Sequence, residues 1–389
     1  MFLAPHVSAF GEAIYGARLA SSLVDRGWVV DFLAPSELGP VIRRDRRIRF
    51  ARIDRALTRL DVEVAALARD VLVLVDTTSV DKVVRTAGLS HERLLGAAST
   101  VIGIECWGHS TTALRRDYGP WSEVLSPALF DRAHLIRPVP TARPTVAGAY
   151  SSIPTLERAP GQRDEVRERW GVDAGDKLIV WPMAGWQDPA SQSNRALNAL
   201  AGLLPHLVLP ALDGVGPNVK VVHVSPLAID PALRPANYRH SGHLATNEFE
   251  ALLGASDALL SFNASATSLS TALALGIPTC LCTAASYERD PRFRALELPS
   301  IIIGWNPPPI WAWPLSLDAV LGEMVRDNPF YTTMARADAF HGEALVATLR
   351  ALVFDDAERE RIRSAQAAYR QVVAALPSGA DRVIACVER

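Results

Sequence analysis

Small polar residues follow the short apolar segment 257–261 and precede a helix-like segment that closes with Gly276-Ile277-Pro278. The first turn of an α-helix has free N–H groups and the positive end of the helix dipole, so it favours an anion such as a phosphate. Hydroxyl and amide side chains at that turn can also cap the helix. The segment therefore predicts a phosphate-type site, with an ordinary capped helix of an α/β domain as the alternative. The polar residues are Asn263, Ser265, Thr267 and Ser268.

Ionisable side chains follow two strands that we predict in the first half of the chain. His6 lies just beyond the first strand, and Glu105 and His109 end the fifth. Ligands of open α/β sheets bind at the carboxyl ends of the strands, where His and Glu can act as acids and bases. His109 or Glu105 could therefore complete a proton relay or hold a substrate. The structural alternatives are a loop or cap histidine at His6 and a paired, buried carboxylate at Glu105, because an unpaired interior carboxylate is costly.

The elements that must position these residues alternate between strand and helix in the first half of the chain. Gly27 stops the first helix, and the apolar run 71–75 is typical of a strand buried on both faces of a parallel sheet. The predicted strands are 1–4, 28–34, 49–53, 71–75 and 100–106, the predicted helices are 12–26 and 57–69, residues 109–120 are irregular, and 123–137 holds a short helix and a sixth strand.

The alternation stops in a segment rich in Pro, Thr, Ala and Ser and then starts again. Such a composition is typical of a linker, and the 389 residues are too many for one ordinary core. The predicted fold class is therefore α/β, with two doubly wound Rossmann-like domains and C-terminal helices. The predicted units are an N-terminal domain at 1–145, a linker at 146–160, a second domain at 161–360, and C-terminal helices at 361–389 that pack back on the N-terminal domain. After the linker we predict helices at 164–170, 193–207, 247–255, 345–354, 355–375 and 381–388, and strands at 178–182 and 219–224.

Charge and composition exclude some classes of protein. The chain has 40 Lys and Arg against 42 Asp and Glu, so its net charge of −2 gives no broad basic face for nucleic acid. No signal-peptide pattern opens the chain, and no apolar run approaches the roughly 20 residues that span a bilayer. We therefore expect a cytoplasmic protein without integral membrane association. The four cysteines are scattered, and Cys280 and Cys282 would point to opposite faces of a strand, so we expect no metal site.

The second half of the chain resembles the donor-binding domain of GT-B glycosyltransferases, the class built from two Rossmann-like domains. Residues 163–180 are similar to the helix, glycine and strand with which such domains begin. The sequence Ser191-Gln192-Ser193-Asn194-Arg195-Ala196-Leu197-Asn198 resembles a loop of the N-acetylglucosaminyltransferase that makes lipid II. Gly242-His243-Leu244 with the helix after it resembles the loop that meets the nucleobase. The segment 262–278 is similar to the helix start that holds the donor diphosphate.

This resemblance implies sugar transfer from a nucleotide-diphosphate donor to a small-molecule acceptor, with specialised metabolites as one acceptor class. It implies no cofactor beyond the nucleotide sugar, and no metal, in keeping with the absence of an Asp-x-Asp motif from the sequence. Many relatives bind the donor ribose through a Glu where this chain has Thr271, which can form only a single hydrogen bond. The implied donor-binding residues are Gln187, Ser191, Gln192, Arg195, Gly242, His243, Leu244, Asn263, Ser265, Thr267, Ser268 and Thr271.

The resemblance also indicates a catalytic base. When the first helix is aligned on the family's first helix, Glu12 falls where many inverting members have a His. A Glu can accept a proton from an acceptor hydroxyl if partial desolvation raises its pKa. The alternative is an acid of the first helical turn that the helix dipole favours, and His6 is the competing base.

Two other functions remain open at this stage. The Thr271 departure is compatible with a catalytically silent GT-B homologue that acts as a partner or activator subunit. A nucleotide-sugar epimerase of the same fold is a further alternative, but it would need additional carboxylates in the cleft. A homodimer is also left open.

Overall fold

A computed structural model describes most of the chain in atomic detail. The described residues are 1–6, 10–53, 60, 64, 70–109, 114–117, 122–156, 161–183, 206–225, 229–283 and 327–389. The helices predicted at 57–69 and 193–207 lie almost wholly outside these residues. The predicted donor-binding loop 187–195 lies outside them entirely.

Seven strands of the first half form a parallel sheet in the order β3-β2-β1-β4-β5-β8-β9. All four residues of β4 are buried, as the continuous apolar run predicts for a central parallel strand. The described strands of the first half, including β6 and β7 outside this sheet, are β1 Phe2–Leu3, β2 Asp31–Ala34, β3 Arg49–Arg52, β4 Val71–Leu74, β5 Thr100–Ile104, β6 Arg115–Asp117, β7 Ser122–Val124, β8 His134–Val139 and β9 Ala149–Ser151.

Helices cover both faces of this first sheet, which defines the N-terminal domain. One apolar layer contains buried residues of α1 and α2, and the opposite layer contains buried residues of α3, α4 and α5. The described helices are α1 Phe10–Val24, α2 Gly39–Ile42, α3 Thr77–Thr86, α4 His91–Leu95 and α5 Pro127–Arg132.

The second sheet has six parallel strands in the order β12-β11-β10-β13-β14-β15 and defines the C-terminal domain. Two apolar clusters occupy its two faces, so this domain is also doubly wound. Its strands are β10 Lys177–Pro182, β11 Val219–Val224, β12 Tyr238–Ser241, β13 Ala258–Ser261, β14 Thr279–Thr283 and β15 Ala335–Asp338. Its described helices, together with the tail, are α6 Gln162–Arg169, α7 Thr246–Ala255, α8 Thr267–Leu275, α9 Gly342–Phe354, α10 Asp356–Ala374 and α11 Gly379–Val387, and residues 206–215 are also helical.

Two predictions of irregular structure are wrong in part. Within 109–120 the strand β6 pairs with β7 as a separate antiparallel ribbon. The strand β9 lies inside the segment predicted as linker and pairs with the edge of the first sheet. Neither short strand has an apolar alternation of period two that would have indicated it.

The entry to β9 requires a glycine, because Gly148 has φ of +77° and an added Cβ would lie 2.4 Å from the carbonyl oxygen of Leu135.

The tail crosses back to the first sheet. The helix α11 packs against α1, β5, β8 and β9. Gly379 at its start lies so close to Leu19 and Tyr150 that an added Cβ would be 2.9 and 3.0 Å from their side chains. An ion pair of 2.5 Å joins Asp381 to Arg26, just beyond α1. The last helix therefore ties the end of the chain to the first helix.

We searched the described residues for a membrane-crossing helix. None of those helices is both long and apolar enough to cross a bilayer.

Candidate functional site

A cavity lies where the carboxyl ends of the two sheets face each other. It is partly open to solvent, and the empty space within it is about 250 Å³ when the open solvent at its mouth is included. Both domains contribute residues to its wall, so a molecule bound there would contact both domains. The lining residues are Gly11, Glu12, Tyr15, Cys106, Trp107 and Thr141 from the N-terminal side, and Ser265 and Thr267 from the C-terminal domain.

The first turn of α8 forms the C-terminal wall of the cavity. Ala266 is the N-cap residue, and no side chain caps the helix. The prediction that the polar side chains cap this turn is therefore wrong. Asn263 is buried and its Oδ1 accepts hydrogen bonds from the backbone N–H (2.9 Å) and the Oγ (2.8 Å) of Ser265. The cluster thus shapes the turn before the helix and leaves the N–H groups of the first turn uncapped by side chains.

The other two predicted donor residues of this segment are buried in the helix. Ser268 and Thr271 are 8% and 4% exposed. The hydroxyl of Thr271 donates to the carbonyl oxygen of Thr267 at 3.2 Å. Of the predicted residues in this segment, the structure brings Ser265 and Thr267 to the cavity wall, whereas Ser268 and Thr271 are not part of it.

Glu12 lies in the first turn of α1, directly across the cavity from α8. An added Cβ on the neighbouring Gly11 would lie 3.2 Å from Cγ2 of Thr267, so the two first turns are in contact. Desolvation and the nearby carboxylate of Asp76 raise the pKa of Glu12 to about 8. A hydrogen bond from the backbone N–H of Glu12 itself lowers this pKa and offsets part of the shift. This carboxyl group therefore changes its charge near neutral pH, the range in which a general base is most effective.

Asp76 lies behind the cavity wall and acts on Glu12 through its charge, and the sequence prediction missed it. It is the N-cap of α3, directly after β4, and its carboxylate accepts from the backbone N–H of Thr78 at 3.1 Å and from the hydroxyl of Ser79. Burial raises its pKa to about 6, and the charge of Glu105 adds to this shift. The available signal was an Asp directly after a buried strand and before a helix, at the carboxyl edge of the sheet.

Glu105 holds the loop that carries Trp107. Its Oε1 accepts the N–H of Trp107 at 2.7 Å, and its Oε2 accepts the N–H of Gly108 at 2.9 Å. The guanidinium of Arg137 lies 3.6 Å from Oε2. The carboxylate is 1% exposed and does not line the cavity. It is therefore paired, as the sequence argument required of a carboxylate at a buried strand end.

His109 lies behind the same loop. It is 1% exposed, and its Nδ1 lies 3.4 Å from both Oε1 of Glu105 and Oγ1 of Thr78. Its Nε2 is buried without a hydrogen-bond partner in the described part of the chain. His6 is exposed, and desolvation together with Lys82 lowers its pKa. Neither histidine lines the cavity, whereas Glu12 does.

The remaining predicted donor residues fall into two groups. Gly242, His243 and Leu244 follow β12, at the same carboxyl edge of the sheet as α8, with His243 exposed and Leu244 half-buried. The carboxylate of Glu248 accepts the N–H of Ala245 at 3.1 Å and so fixes the start of α7. The other group lies outside the described residues: Gln187, Ser191, Gln192 and Arg195.

Three further wall residues carry no sequence signal, because only the fold brings them together. Tyr15 is buried, and its hydroxyl lies 3.2 Å from Oγ1 of Thr141. Burial raises the pKa of Cys106 well above its ordinary value, and Glu12, Asp76 and Glu105 add to the shift, so the thiol stays neutral.

We also searched the described part of the chain for metal ligands. It holds no group of three or more His, Cys, Asp or Glu residues arranged to bind a metal ion. The four cysteines are free, and Cys386 is half-buried while the other three are buried.

With the geometry of the site established, the chain can be compared with known proteins. Residues 19–389 match the model of a family described as a family of unknown function, DUF6365. The chain belongs to DUF6365. No curated protein sequence matches this member of the family.

Solved structures show which fold this DUF6365 member has. The spinosyn forosaminyltransferase SpnP aligns over 100% of this chain and 99% of its own, with a TM-score of 0.58 and 14% identity. The spinosyn rhamnosyltransferase SpnG aligns over 100% of both chains, with a TM-score of 0.53 and 16% identity. A Listeria monocytogenes protein provisionally assigned as a UDP-N-acetylglucosamine 2-epimerase aligns over 99% of this chain and 94% of its own, with a TM-score of 0.54 and 12% identity. The predicted GT-B fold is therefore confirmed.

Proposed function

We propose that this protein is a glycosyltransferase that moves a sugar from a nucleotide-diphosphate donor to a hydroxyl of a small-molecule acceptor without a metal ion. One observation carries the proposal. A carboxyl group that titrates near neutral pH, Glu12, faces the uncapped first turn of α8 across a cavity between the two domains. These are the two groups that such a transfer needs on opposite sides of the reacting carbon.

The first turn of α8 suits the donor diphosphate. As the glycosidic bond breaks, the leaving diphosphate gains negative charge, and fixed N–H dipoles stabilise that charge without reorganisation. The turn before the helix is held by the hydrogen bonds between Asn263 and Ser265, so these dipoles are preorganised. Ser265 and Thr267 add two hydroxyl groups at the cavity wall.

Glu12 suits the role of the general base. Its ionised form accepts the proton of the acceptor hydroxyl as the oxygen attacks the sugar carbon, and the bond to the diphosphate breaks on the opposite side. A base is most effective when its pKa lies near the working pH, and the pKa of Glu12 is raised to about 8. Asp76 contributes by its charge, which makes Glu12 a stronger base than an isolated carboxylate would be.

Relatives of the same fold support this class of substrates. SpnG is described in complex with thymidine diphosphate and in complex with the spinosyn aglycone. A protein of this fold thus holds a nucleoside diphosphate and a natural-product acceptor. We propose the same two kinds of substrate for this chain, with the sugar and the nucleoside left open.

A nucleotide-sugar epimerase is the second candidate, because a protein assigned to that activity shares the fold. In addition, the carboxyl groups of Glu12, Asp76 and Glu105 lie near one another at the carboxyl edge of the first sheet. Both oxygens of Glu105, however, already accept backbone N–H groups, which leaves it poorly placed to move protons on a sugar. Incubation of each nucleotide sugar without an acceptor separates the two functions. An epimerase converts the sugar under these conditions, whereas a transferase leaves it unchanged apart from slow hydrolysis.

Thermal unfolding in the presence of nucleoside diphosphates and nucleotide sugars tests the donor site. At 100 times its Kd, a bound nucleotide adds about 2.7 kcal/mol to the free energy of unfolding, and this added stability raises Tm. We expect this shift in the wild type and its loss in the double variant Ser265→Ala/Thr267→Ala. The matched control is Thr348→Ala, which removes a helical hydroxyl from α9 and should keep the shift.

Turnover then separates a transferase from a catalytically silent homologue. The donors that shift Tm are incubated with a panel of hydroxylated small molecules, and products are detected by mass. Glu12→Gln should bind the donor as the wild type does and lose transfer at least about 100-fold, within the range of general-base catalysis. Transfer at the wild-type rate by this variant would rule out Glu12 as the base, and the absence of any diphosphate response in the wild type would rule out the donor site.

A further inference from the structure

One face of α1 runs along the C-terminal domain, and three contacts fix it there. At its start, Gly11 lies close to Thr267 of α8, since an added Cβ would be 3.2 Å from Cγ2 of the threonine. One turn later, the hydroxyl of Tyr15 meets Thr141, whose carbonyl oxygen accepts a hydrogen bond from Asn328 of the C-terminal domain at 3.2 Å. A further turn along, Arg18 reaches Glu250 of α7. The helix that carries Glu12 is therefore held by the domain that carries the proposed donor site.

Glu250 is the centre of the third contact. Its Oε1 lies 3.7 Å from Nη2 of Arg18, and its Oε2 accepts from Nη2 of Arg44 at 3.0 Å. Both arginines belong to the N-terminal domain, whereas Glu250 belongs to α7 of the C-terminal domain. The side chain of Glu250 is 13% exposed, so water screens this pair less than an ordinary surface ion pair.

Glu250 also keeps two cations close to each other. Burial lowers the pKa of Arg18, the charges of Tyr15 and Glu250 oppose this shift, and Arg44 adds to it. The Nη1 of Arg18 is buried without a hydrogen-bond partner among the described residues, and Glu250 provides a carboxylate that offsets the burial of this guanidinium. Without the carboxylate, the guanidinium groups of Arg18 and Arg44 would repel each other beside the middle of α1. The side chain of Arg18 would then have to leave its position, and α1 would lose this contact.

We propose that Glu250 is a positioning residue that, through Arg18 and Arg44, fixes the register of α1 on the C-terminal domain and so holds Glu12 opposite the first turn of α8. The proposal rests on the proposed function, because it assigns to Glu250 the placement of the base relative to the donor. Glu250 itself does not line the cavity and touches neither substrate.

A rigid helix transmits this constraint. Glu12 and Arg18 are six residues apart, which corresponds to about 9 Å along the axis. A tilt of α1 by a few degrees over this length moves the first turn of the helix, and Glu12 with it, by a fraction of an ångström. Displacements of about 1 Å at a reacting group can cost about 100-fold in rate. Loss of the ion cluster should consequently lower turnover more than it lowers the affinity for the donor.

Four variants, one of them a control, test the proposal. Glu250→Gln removes the charge and keeps the shape, and Arg44→Gln removes one partner. The matched control is Arg47→Gln in the same loop, whose ion pairs with Asp25 and Asp45 lie within the N-terminal domain. Amide hydrogen exchange of residues 10–18, kcat, donor KM and the Tm shift with a nucleoside diphosphate are measured for each.

We expect Glu250→Gln to speed exchange in α1 and to lower kcat about 10-fold, with donor KM and the diphosphate Tm shift within about twofold of the wild type. Arg44→Gln should show the same pattern more weakly, Glu250→Asp should restore part of kcat, and Arg47→Gln should match the wild type.

Two results would overturn the proposal: unchanged exchange in α1 of Glu250→Gln, or faster exchange with unchanged kcat. If the wild type transfers no sugar, the proposed function fails, and faster exchange in Glu250→Gln but not in Arg47→Gln still decides whether Glu250 sets the register of α1.

Discussion

Gly11 and Thr267 place the first turns of two helices from different domains so close together that a Cβ added to the glycine would lie 3.2 Å from Cγ2 of the threonine. That distance is shorter than an ordinary van der Waals contact. The two positive helix ends therefore face one cavity, and the carboxyl group of Glu12 lies next to the proposed anion site there.

This contact predicts the effect of a side chain at Gly11. Gly11→Ala should lower turnover about threefold to tenfold, because the added methyl group must push Thr267 away and widen the gap between Glu12 and α8. Folding stability should change by less than about 1.5 kcal/mol, because the threonine side chain lies at the cavity wall and can shift. Steady-state kinetics and urea unfolding measure the two effects.

The matched control for this variant is the double variant Gly11→Ala/Thr267→Ser. The serine lacks Cγ2, which is the atom that the new methyl group meets, so turnover should recover towards that of Thr267→Ser alone. Equal losses in the single and double variants would show that the methyl group acts through something other than this contact.

A second prediction concerns the dependence of turnover on pH. The carboxylate of Asp76 raises the pKa of Glu12, so Asp76→Asn should lower that pKa and shift the rising limb of the pH–rate profile of kcat/KM to lower pH by about one unit. Asn is also a good N-cap and can still accept the N–H of Thr78, so α3 should remain intact. A rising limb at the same pH as in the wild type would contradict the coupling between the two carboxyl groups.

A third prediction concerns folding stability and its dependence on pH. The pKa of Glu12 is raised in the folded protein, so the contribution of this group is most favourable below about pH 4.5 and is lost as the pH rises through about 8. Glu12→Gln avoids the loss. It should be more stable than the wild type by roughly 1–3 kcal/mol at pH 9, since one pKa unit corresponds to 1.36 kcal/mol and the open cavity reduces the effect.

Urea unfolding at pH 5, 7 and 9 checks this expectation. The difference between Glu12→Gln and the wild type should grow with pH and nearly vanish at pH 5. The control Glu37→Gln changes an exposed carboxylate of the N-terminal domain and should show a small difference that does not depend on pH in this way. A constant difference between Glu12→Gln and the wild type would mean that burial does not hold Glu12 in its neutral form.

The sequence predicts the fold well where a single strand or helix carries the signal. Val71–Leu74 is apolar at each position, and the Gly276 that ends α8 adopts the left-handed conformation that its position requires. The ribbon of β6 and β7 was missed because its residues are polar and its pairing depends on contacts outside the segment. Local signals thus identify buried elements but not short strands at the surface.

The candidate site was predictable only in part, for a similar reason. Glu12, Ser265 and Thr267 line the cavity, and the sequence points to them because each lies at the end of a strand or the start of a helix, where ligands of this fold class bind. The roles of Ser268 and Thr271 could not be read from spacing, because burial of one helix face depends on what packs against it. Tyr15 and Thr141 meet across 126 residues, a distance over which the sequence contains no signal.

A fourth prediction separates structural from chemical roles at the end of β5. Glu105→Ala should destabilise the protein by about 2–5 kcal/mol, because it leaves the N–H groups of Trp107 and Gly108 and the guanidinium of Arg137 without their partner. Glu105→Gln keeps one acceptor oxygen and should lose less. Urea unfolding gives both values. If Glu105→Gln instead retained full stability and lost transfer as completely as Glu12→Gln, Glu105 would belong to the catalytic machinery rather than to the scaffold that holds the Trp107 loop.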